Sequence, residues 1–187
     1  MFNNQKPTEG NLLISEPFML DPTFERSVIM LCEHTEEGSV GLVLNHRSHL
    51  LLSDIFGEIK SEEFPLYLGG PVNNSALYFL HKMNDILPGG INIYEDIYWG
   101  GDFEKLIYLI NENLINPNDV KFFLGYSGWS PNQLNDELNQ NSWAVHKTFP
   151  AELVFLLDGE DLWKQALINL GPKYAHVANF PKSPHLN

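Results

Sequence analysis

Positive charge is scarce in this sequence. Lysine and arginine together number 11, against 24 aspartates and glutamates, and the formal net charge is -13. No run of basic residues forms a compensating patch, so a bare phosphate backbone would be repelled. Because no helix-turn-helix pattern is present either, we expect no direct binding of nucleic acid.

Cysteine and long apolar runs are also scarce. Cys32 is the single cysteine, so no internal disulfide can form, and a reducing compartment is compatible with the chain. Its place in a strand-like apolar run favours a buried structural thiol. No apolar run approaches the ~18 residues of a membrane span, and the N-terminus lacks a signal-peptide pattern. We therefore expect a soluble cytoplasmic protein with no membrane partner.

Apolar residues make up 43% of the 187 residues, which is enough for one well-buried core. We predict a single domain over residues 1–187 with loose ends. SVIMLCEH and SVGLVLNH, joined by TEEG, are typical of a hairpin, and strand patterns dominate the first hundred residues. Helices are predicted after Asp102 and Ser130, each acting as an N-cap, and over residues 159–170. This order indicates an α+β fold with a mixed or mostly antiparallel sheet.

The stretch GYSGWSPNQL, residues 125–134, resembles the strand-to-helix context of a nucleophile elbow around Ser127. An elbow needs small residues two positions before and two positions after its serine. Here Gly128 comes one position too early and Trp129 occupies the second small position. We therefore disfavour a nucleophilic Ser127. Two alternatives stay open, a packed structural corner and a turn whose helix-start amides face an anion.

Several blocks of sequence occur in a specific order: GNLLISEPFMLDPTFERSVIMLCEH, GLVLNH, LGGPV, LYFLH, GYSGWSPNQLNDEL and LWKQALINLG. Together they resemble the YqgE/AlgH family over about residues 10–171. The resemblance implies a compact α+β fold whose bulged, barrel-like sheet is flanked by helices, with no established reaction. Some members carry a transcriptional-regulator label because of an effect on alginate production. Members commonly have alanine where Ser127 stands, which again argues against a nucleophile.

Polar residues at turns and strand ends, with nearby aromatics and glycines, form our candidate binding surface. Arg26 and the helix-start amides would hold an anion, polar side chains would orient it, two aromatic residues would form a wall, and glycines would allow close backbone approach. A structural turn clamp between Asp21 and Arg26 is the alternative for that arginine. The full candidate set is Arg26, Glu33, His34, Asn45, Gly69, Gly70, Tyr126, Gly128, Trp129 and Gln133.

Neither a metal nor a cofactor is predicted. The histidines lack the paired spacing of a zinc motif, and Gly69-Gly70-Pro71 lacks the frame and lysine of a phosphate loop. Our leading hypothesis is a cytoplasmic binding or regulatory module that acts indirectly, through a small anionic ligand or a protein partner. The alternative is a hydrolase or transferase that uses polar groups near Ser127 or His34. A regulator that binds DNA directly is a third hypothesis, which the net charge disfavours.

Overall fold

The structure, a computed structural model, describes residue 2 and residues 5–182. Part of the predicted loose ends lies outside these residues. The strands are β1 (Leu12–Ser15), β2 (Val28–Thr35), β3 (Gly38–Val43), β4 (Arg47–Leu51), β5 (Pro65–Leu68), β6 (Val72–His81), β7 (Ile91–Tyr94), β8 (Ile97–Trp99), β9 (Val120–Trp129) and β10 (Trp143–His146). The helices are α1 (Leu52–Ile55), α2 (Phe103–Asn111), α3 (Gln133–Asn139), α4 (Glu152–Leu156), α5 (Gly159–Leu170) and α6 (Pro172–Ala175).

Strand β9 organises the sheet. It pairs with β3 and β6 in antiparallel fashion and with β5 in parallel fashion. The strand order is β10-β1-β2-β3-β9-β6-β8-β7, and β4 joins through β5. The predicted α+β fold with a mostly antiparallel sheet is therefore confirmed. The sheet is not closed into a barrel, because within the described residues the terminal strands β10 and β7 do not pair.

Bulges bend this sheet at two places that bear on the site. The register between β2 and β3 shifts between Leu31 and Glu33, near the tip of the hairpin. A larger shift between β6 and β9 lies between Val72 and Leu77. Extra residues on one strand of a pair increase the local twist and redirect side chains.

Apolar side chains cover both faces of the sheet. Phe123 lies in a core beneath α5 with Trp163, whereas its neighbour Phe122 lies in a second core with Leu106 of α2. Successive side chains of a strand point to opposite faces, so one short segment contributes to both cores. A third cluster packs α3 against Trp129 and Trp143. The near-continuous apolar runs in the sequence therefore reflect strands covered on both sides.

Helix α5 has the predicted bounds, but the predicted helix after GYSGW begins later. Strand β9 continues to Trp129, and α3 begins at Gln133 with Asn132 as its N-cap in a left-handed conformation, φ 66°. Ser130 is not the N-cap. Instead, its backbone N–H donates to the side-chain oxygen of Gln133 across a turn, at 3.0 Å. An asparagine tolerates positive φ because its short polar side chain can bond locally.

Candidate functional site

Ser127 is part of a buried strand. Its backbone pairs with Gly41, its side chain is fully buried, and its hydroxyl donates to the carbonyl oxygen of Gly69 at 3.1 Å. A nucleophile elbow instead needs an exposed serine on a sharp turn between strand and helix. The structure therefore supports our sequence argument against a nucleophilic Ser127.

Five of the predicted residues do come together. Pairing of β2 with β3 and of β3 with β9 brings Glu33, His34, Tyr126, Gly128 and Trp129 to one end of the sheet, which we call the hairpin surface. Two depressions of about 580 and 440 Å³ lie on this surface. Gln133 begins the adjacent helix. Asn45 is not among them, because it follows the opposite end of β3.

The polar groups at the hairpin surface are largely bonded to one another. His34 Nδ1 lies 2.7 Å from the Ser39 hydroxyl, and the Gln133 amide donates to Glu137 at 3.0 Å. The Gln133 backbone N–H donates to the carbonyl of Ser130, whose own N–H is also occupied. These two amides at the start of α3 are therefore not free to bind an anion.

Trp129 forms a packed corner. Its indole N–H and that of Trp143 both donate to one carboxylate oxygen of Glu137, at 2.9 and 2.7 Å. The two rings meet edge to face with centroids 6.2 Å apart. Buried indole N–H groups normally find a partner, and here one glutamate of α3 serves both. Trp129 thus fixes α3 to the sheet.

Arg26 and Asn45 lie elsewhere, beneath the start of α5. The buried guanidinium of Arg26 pairs with Glu160 and stands 4.7 Å from the ring centre of Trp163. Asp21 instead accepts a hydrogen bond from the N–H of Thr23 at 2.9 Å. The predicted Asp21–Arg26 clamp is therefore wrong, because Arg26 reaches a helix that lies far along the chain.

Asn45 is a fully used structural amide. It accepts from the N–H of Val28 at 2.9 Å and donates to the carbonyls of Arg26 and Gly159, both at 2.8 Å. Buried polar groups with this many partners hold segments together, and breaking such a set is costly. Asn45 thus ties β2 and β3 to the start of α5.

Gly69 and Gly70 serve close backbone packing against β9. A methyl group built on Gly69 would lie 2.4 Å from the carbonyl oxygen of Gly125, and one on Gly70 would lie 2.3 Å from the backbone of Tyr126. Gly70 also has φ of 152°, which side-chain-bearing residues rarely adopt. We expected these glycines to let the backbone approach a ligand closely. Instead they let the connection between β5 and β6 approach β9 closely.

A different site, which the sequence reasoning missed, surrounds Lys121. A cavity of about 420 Å³ is lined by Lys121 of β9, Arg47 of β4, Tyr67 of β5 and the segment 155–158 before α5. Lys121 is only 4% exposed. Its Nζ donates to the carbonyls of Val154 and Leu157, both at 3.1 Å. We call this space the lysine cavity.

The remaining polar groups of the lysine cavity form a connected set. The Tyr67 hydroxyl donates to Asp158 at 3.1 Å, and the half-exposed guanidinium of Arg47 lies 3.7 Å from the same carboxylate. The Tyr67 ring centre lies 4.2 Å from Lys121 Nζ, a cation–π distance. Burial, and to a smaller extent Asp158, raises the pKa of Tyr67.

Burial lowers the pKa of Lys121 from 10.5 to about 7. Asp158 partly offsets this effect, and Arg47 adds to it. Within the described part of the chain, no carboxylate oxygen lies within 4.0 Å of Nζ to hold its charge. A strongly perturbed group beside a cavity is a recognised indicator of a functional site. The available signal in the sequence was a lysine inside the apolar run VKFFL.

Comparison with known proteins identifies the family. A family profile described as AlgH-like matches residues 12–175. The chain belongs to the YqgE/AlgH family. A UPF0301 protein of Bacteroides thetaiotaomicron is 45% identical over 99% of this chain and 94% of its own length. A UPF0301 protein of Cytophaga hutchinsonii is 41% identical over 96% of this chain and 99% of its own length.

Solved structures show the same fold. The solution structure of the AlgH protein from Pseudomonas aeruginosa has a TM-score of 0.71 and 27% identity, covering 96% of this chain and 98% of that one. A crystal structure of a Corynebacterium diphtheriae protein has a TM-score of 0.73 and 22% identity, covering 96% and 95%. A shared fold does not fix a function, so the function of this YqgE/AlgH protein depends on its own site residues.

The described residues of this YqgE/AlgH protein contain no group of three or more histidine, cysteine, aspartate or glutamate residues placed to hold a metal ion. No helix among them has the length and hydropathy needed to cross a membrane. The hairpin surface and the lysine cavity are therefore the two places from which we argue a function.

Proposed function

We propose that this protein is a binding module that holds a small anionic ligand in the lysine cavity, and that any regulatory effect is indirect. The observation that carries the proposal is a cavity of about 420 Å³ into which a buried lysine, a tyrosine and an arginine converge. A volume of this order suits a small molecule.

Arg47 is the cavity residue that would hold the carboxylate of a ligand. The side chain of Arg47 is 55% exposed and makes only a 3.7 Å contact with Asp158, so its planar fork can donate to a second carboxylate. Glu63 and Asp161 also line the cavity and would repel a highly charged ligand. We therefore expect a small monocarboxylate in preference to a nucleotide or another polyphosphate.

Thermal unfolding tests this proposal. Acetate, pyruvate, citrate, phosphate and ATP would each be titrated, and the midpoint of unfolding measured. A ligand at ~100 times its dissociation constant adds ~2.7 kcal/mol to the unfolding free energy, and each kcal/mol moves the midpoint by ~2–4 °C at this size. We expect the monocarboxylates to raise the midpoint more than the polyanions.

The matched variants are Arg47→Gln, inside the cavity, and Lys105→Gln, on the exposed side of α2. Both remove one positive charge, so they change the net charge of the protein equally. The shift should disappear in Arg47→Gln and persist in Lys105→Gln. An equal shift in both variants, or a flat response to every monocarboxylate, would refute ligand binding in the lysine cavity.

Docking of a basic protein segment on the hairpin surface is a second candidate function. Glu36 and Glu37 at the hairpin tip are exposed, as is Glu33, and Val72 beside them is 38% exposed. Acidic side chains around an apolar contact complement a partner with lysines flanking an apolar residue. This arrangement supports the protein-partner form of our sequence hypothesis.

An oligolysine peptide containing one leucine is a suitable probe for the hairpin surface. Glu36→Gln/Glu37→Gln should weaken its binding by several-fold, whereas Glu58→Gln/Glu62→Gln, with the same charge change elsewhere on the surface, should not. Equal weakening in the two double variants would show that only the net charge of the protein is sensed.

A further inference from the structure

Lys121 has two hydrogen-bond acceptors, which suits a neutral amine. Its Nζ donates to the carbonyls of Val154 and Leu157 at 3.1 Å each. A neutral amine has two N–H groups and one lone pair, whereas an ammonium has three donors. Both hydrogens of the neutral form are thus satisfied, and no donor among the described residues bonds its lone pair. The third hydrogen of the charged form would have only the face of Tyr67, 4.2 Å away.

Burial makes the neutral form abundant. With a pKa of about 7, about half of the Lys121 side chains carry no proton at neutral pH, against roughly one in 3,000 for an ordinary lysine. Desolvated lysines in apolar pockets are the amines that enzymes use toward carbonyl compounds. The other candidate nucleophiles differ in this respect, since Ser127 is fully buried in the sheet and burial raises the pKa of the Cys32 thiol.

The lysine cavity has room for the rest of a carbonyl compound whose carbonyl carbon meets Lys121. Lys121, Tyr67 and Arg47 all line the same space of about 420 Å³. Tyr67 directs its hydroxyl to Asp158, so its ring face is turned to the amine while its polar end is already bonded. Arg47 is the exposed cation of the set and can bind a carboxylate.

We propose that Lys121 is a covalent binding site that forms a reversible imine with a small aldehyde or ketone bearing one carboxylate, such as a 2-oxo acid. The inference rests on the ligand-binding function proposed above and names the reactive atom. The Nζ lone pair forms a bond to the carbonyl carbon. The carbonyl oxygen then leaves as water with the two amine hydrogens, and a C=N bond remains. Hydrolysis reverses the reaction, so no oxidant or reductant is consumed.

Reductive trapping tests the imine. The full-length protein is incubated with pyruvate and sodium cyanoborohydride at pH 7, and labelled peptides are identified by mass spectrometry. The reagent delivers hydride to the C=N bond and makes the adduct permanent. We expect labelling at Lys121 to be at least ten-fold faster than at any other lysine. Labelling spread evenly over the lysines would overturn the inference.

Variants and pH give independent readouts. Lys121→Met should remove the fast label, and Lys105→Met should keep it. Arg47→Gln should slow labelling by pyruvate by about ten-fold and labelling by neutral acetaldehyde much less, because only pyruvate presents a carboxylate to Arg47. In the unmodified protein, acylation by acetic anhydride follows the fraction of neutral amine, so its rate at Lys121 should rise through pH 7 and level off, while the rate at exposed lysines keeps rising toward pH 10. This pH profile is measured on the unmodified protein, so it does not depend on whether Lys121→Met folds. If the rate at Lys121 does not level off, the lowered pKa of this amine is refuted.

The outcome also separates the two proposals. If pyruvate raises the unfolding midpoint in an Arg47-dependent way but leaves no trapped adduct, the ligand site stands and the imine is refuted. If an adduct forms at Lys121 with acetaldehyde but pyruvate neither binds nor reacts, the reactive amine is supported and the carboxylate preference is refuted.

Discussion

The pH dependence of stability offers a direct test of the buried lysine. The perturbation is a change from pH 7 to pH 9, compared between the unmodified protein and Lys121→Met. Methionine has a similar length and no titrating group. It also removes the two hydrogen bonds to Val154 and Leu157, but that loss is the same at both pH values and cancels in the comparison.

The sign follows from proton binding. The pKa of Lys121 is about 7 in the folded protein and near 10.5 in the unfolded chain. Between these values the unfolded chain binds more protons, so the free energy of unfolding rises with pH. The destabilisation caused by burying Lys121 is fully present below pH 7 and disappears as the pH approaches 10.5.

The magnitude is large enough to measure. The difference between 10.5 and about 7 corresponds to about 5 kcal/mol over the whole range, of which about 2 kcal/mol is regained between pH 7 and pH 9. Above pH 9 the thiol of Cys32 also changes the free energy of unfolding with pH. Burial raises the pKa of this thiol, so the unfolded chain loses the thiol proton before the folded protein does. We therefore limit the comparison to pH 9.

Urea unfolding at pH 7, 8 and 9 provides the assay. The unfolding free energy of the unmodified protein, minus that of Lys121→Met, should increase by about 2 kcal/mol across the series. Lys105→Met is the control, because it removes an exposed lysine of α2 and should track the unmodified protein. If all three proteins show parallel pH profiles, Lys121 is charged in the folded state and our reasoning about its environment is wrong.

Three further predictions concern the buried polar groups. Ser127→Ala should lower the unfolding free energy by about 1 kcal/mol in urea titration, because one buried hydrogen bond is lost, and a serine-reactive phosphonate should label neither protein. Glu137→Ala should cost about 2–4 kcal/mol and alter tryptophan fluorescence, because two buried indole N–H groups lose their acceptor. The unfolding free energy should fall as the pH drops below 6.5, since burial lowers the pKa of His81 and the unfolded chain takes up the proton first. Burial also lowers the pKa values of His46 and His146, which add to this slope, so His81→Gln should reduce the slope in part.

Each of these predictions has a contrary outcome. Phosphonate labelling that disappears in Ser127→Ala would restore the hydrolase hypothesis. An unchanged fluorescence spectrum in Glu137→Ala would mean that Trp129 and Trp143 do not share the glutamate. His81 accepts from the N–H of Met83 at 3.0 Å and hydrogen-bonds the carbonyl of Gly100 at 2.9 Å, so an unaltered acid slope in His81→Gln would contradict a neutral histidine at this position.

Local patterns in the sequence predicted much of the fold. The hairpin of β2 and β3, the bounds of α5 and the family itself follow from short stretches whose period, caps and turn residues are readable in order. The start of α3 was misplaced because Asn132 adopts positive φ, which a capping pattern does not reveal, although the predicted contact between Ser130 and Gln133 is present. Sequence patterns commonly misplace the ends of helices by one or two residues.

The sequence by itself determined the acidic surface, the strand-rich first half and the membership of the family, because each depends on residue type or on neighbours along the chain. Only the tertiary structure decided the partners of the polar groups. Arg26 pairs with Glu160, 134 positions away, and Lys121 meets Tyr67 and Leu157 across three separate segments. Burial and charge act through space, so a lysine that is ordinary in the sequence acquires its chemistry only when the sheet and the start of α5 enclose it.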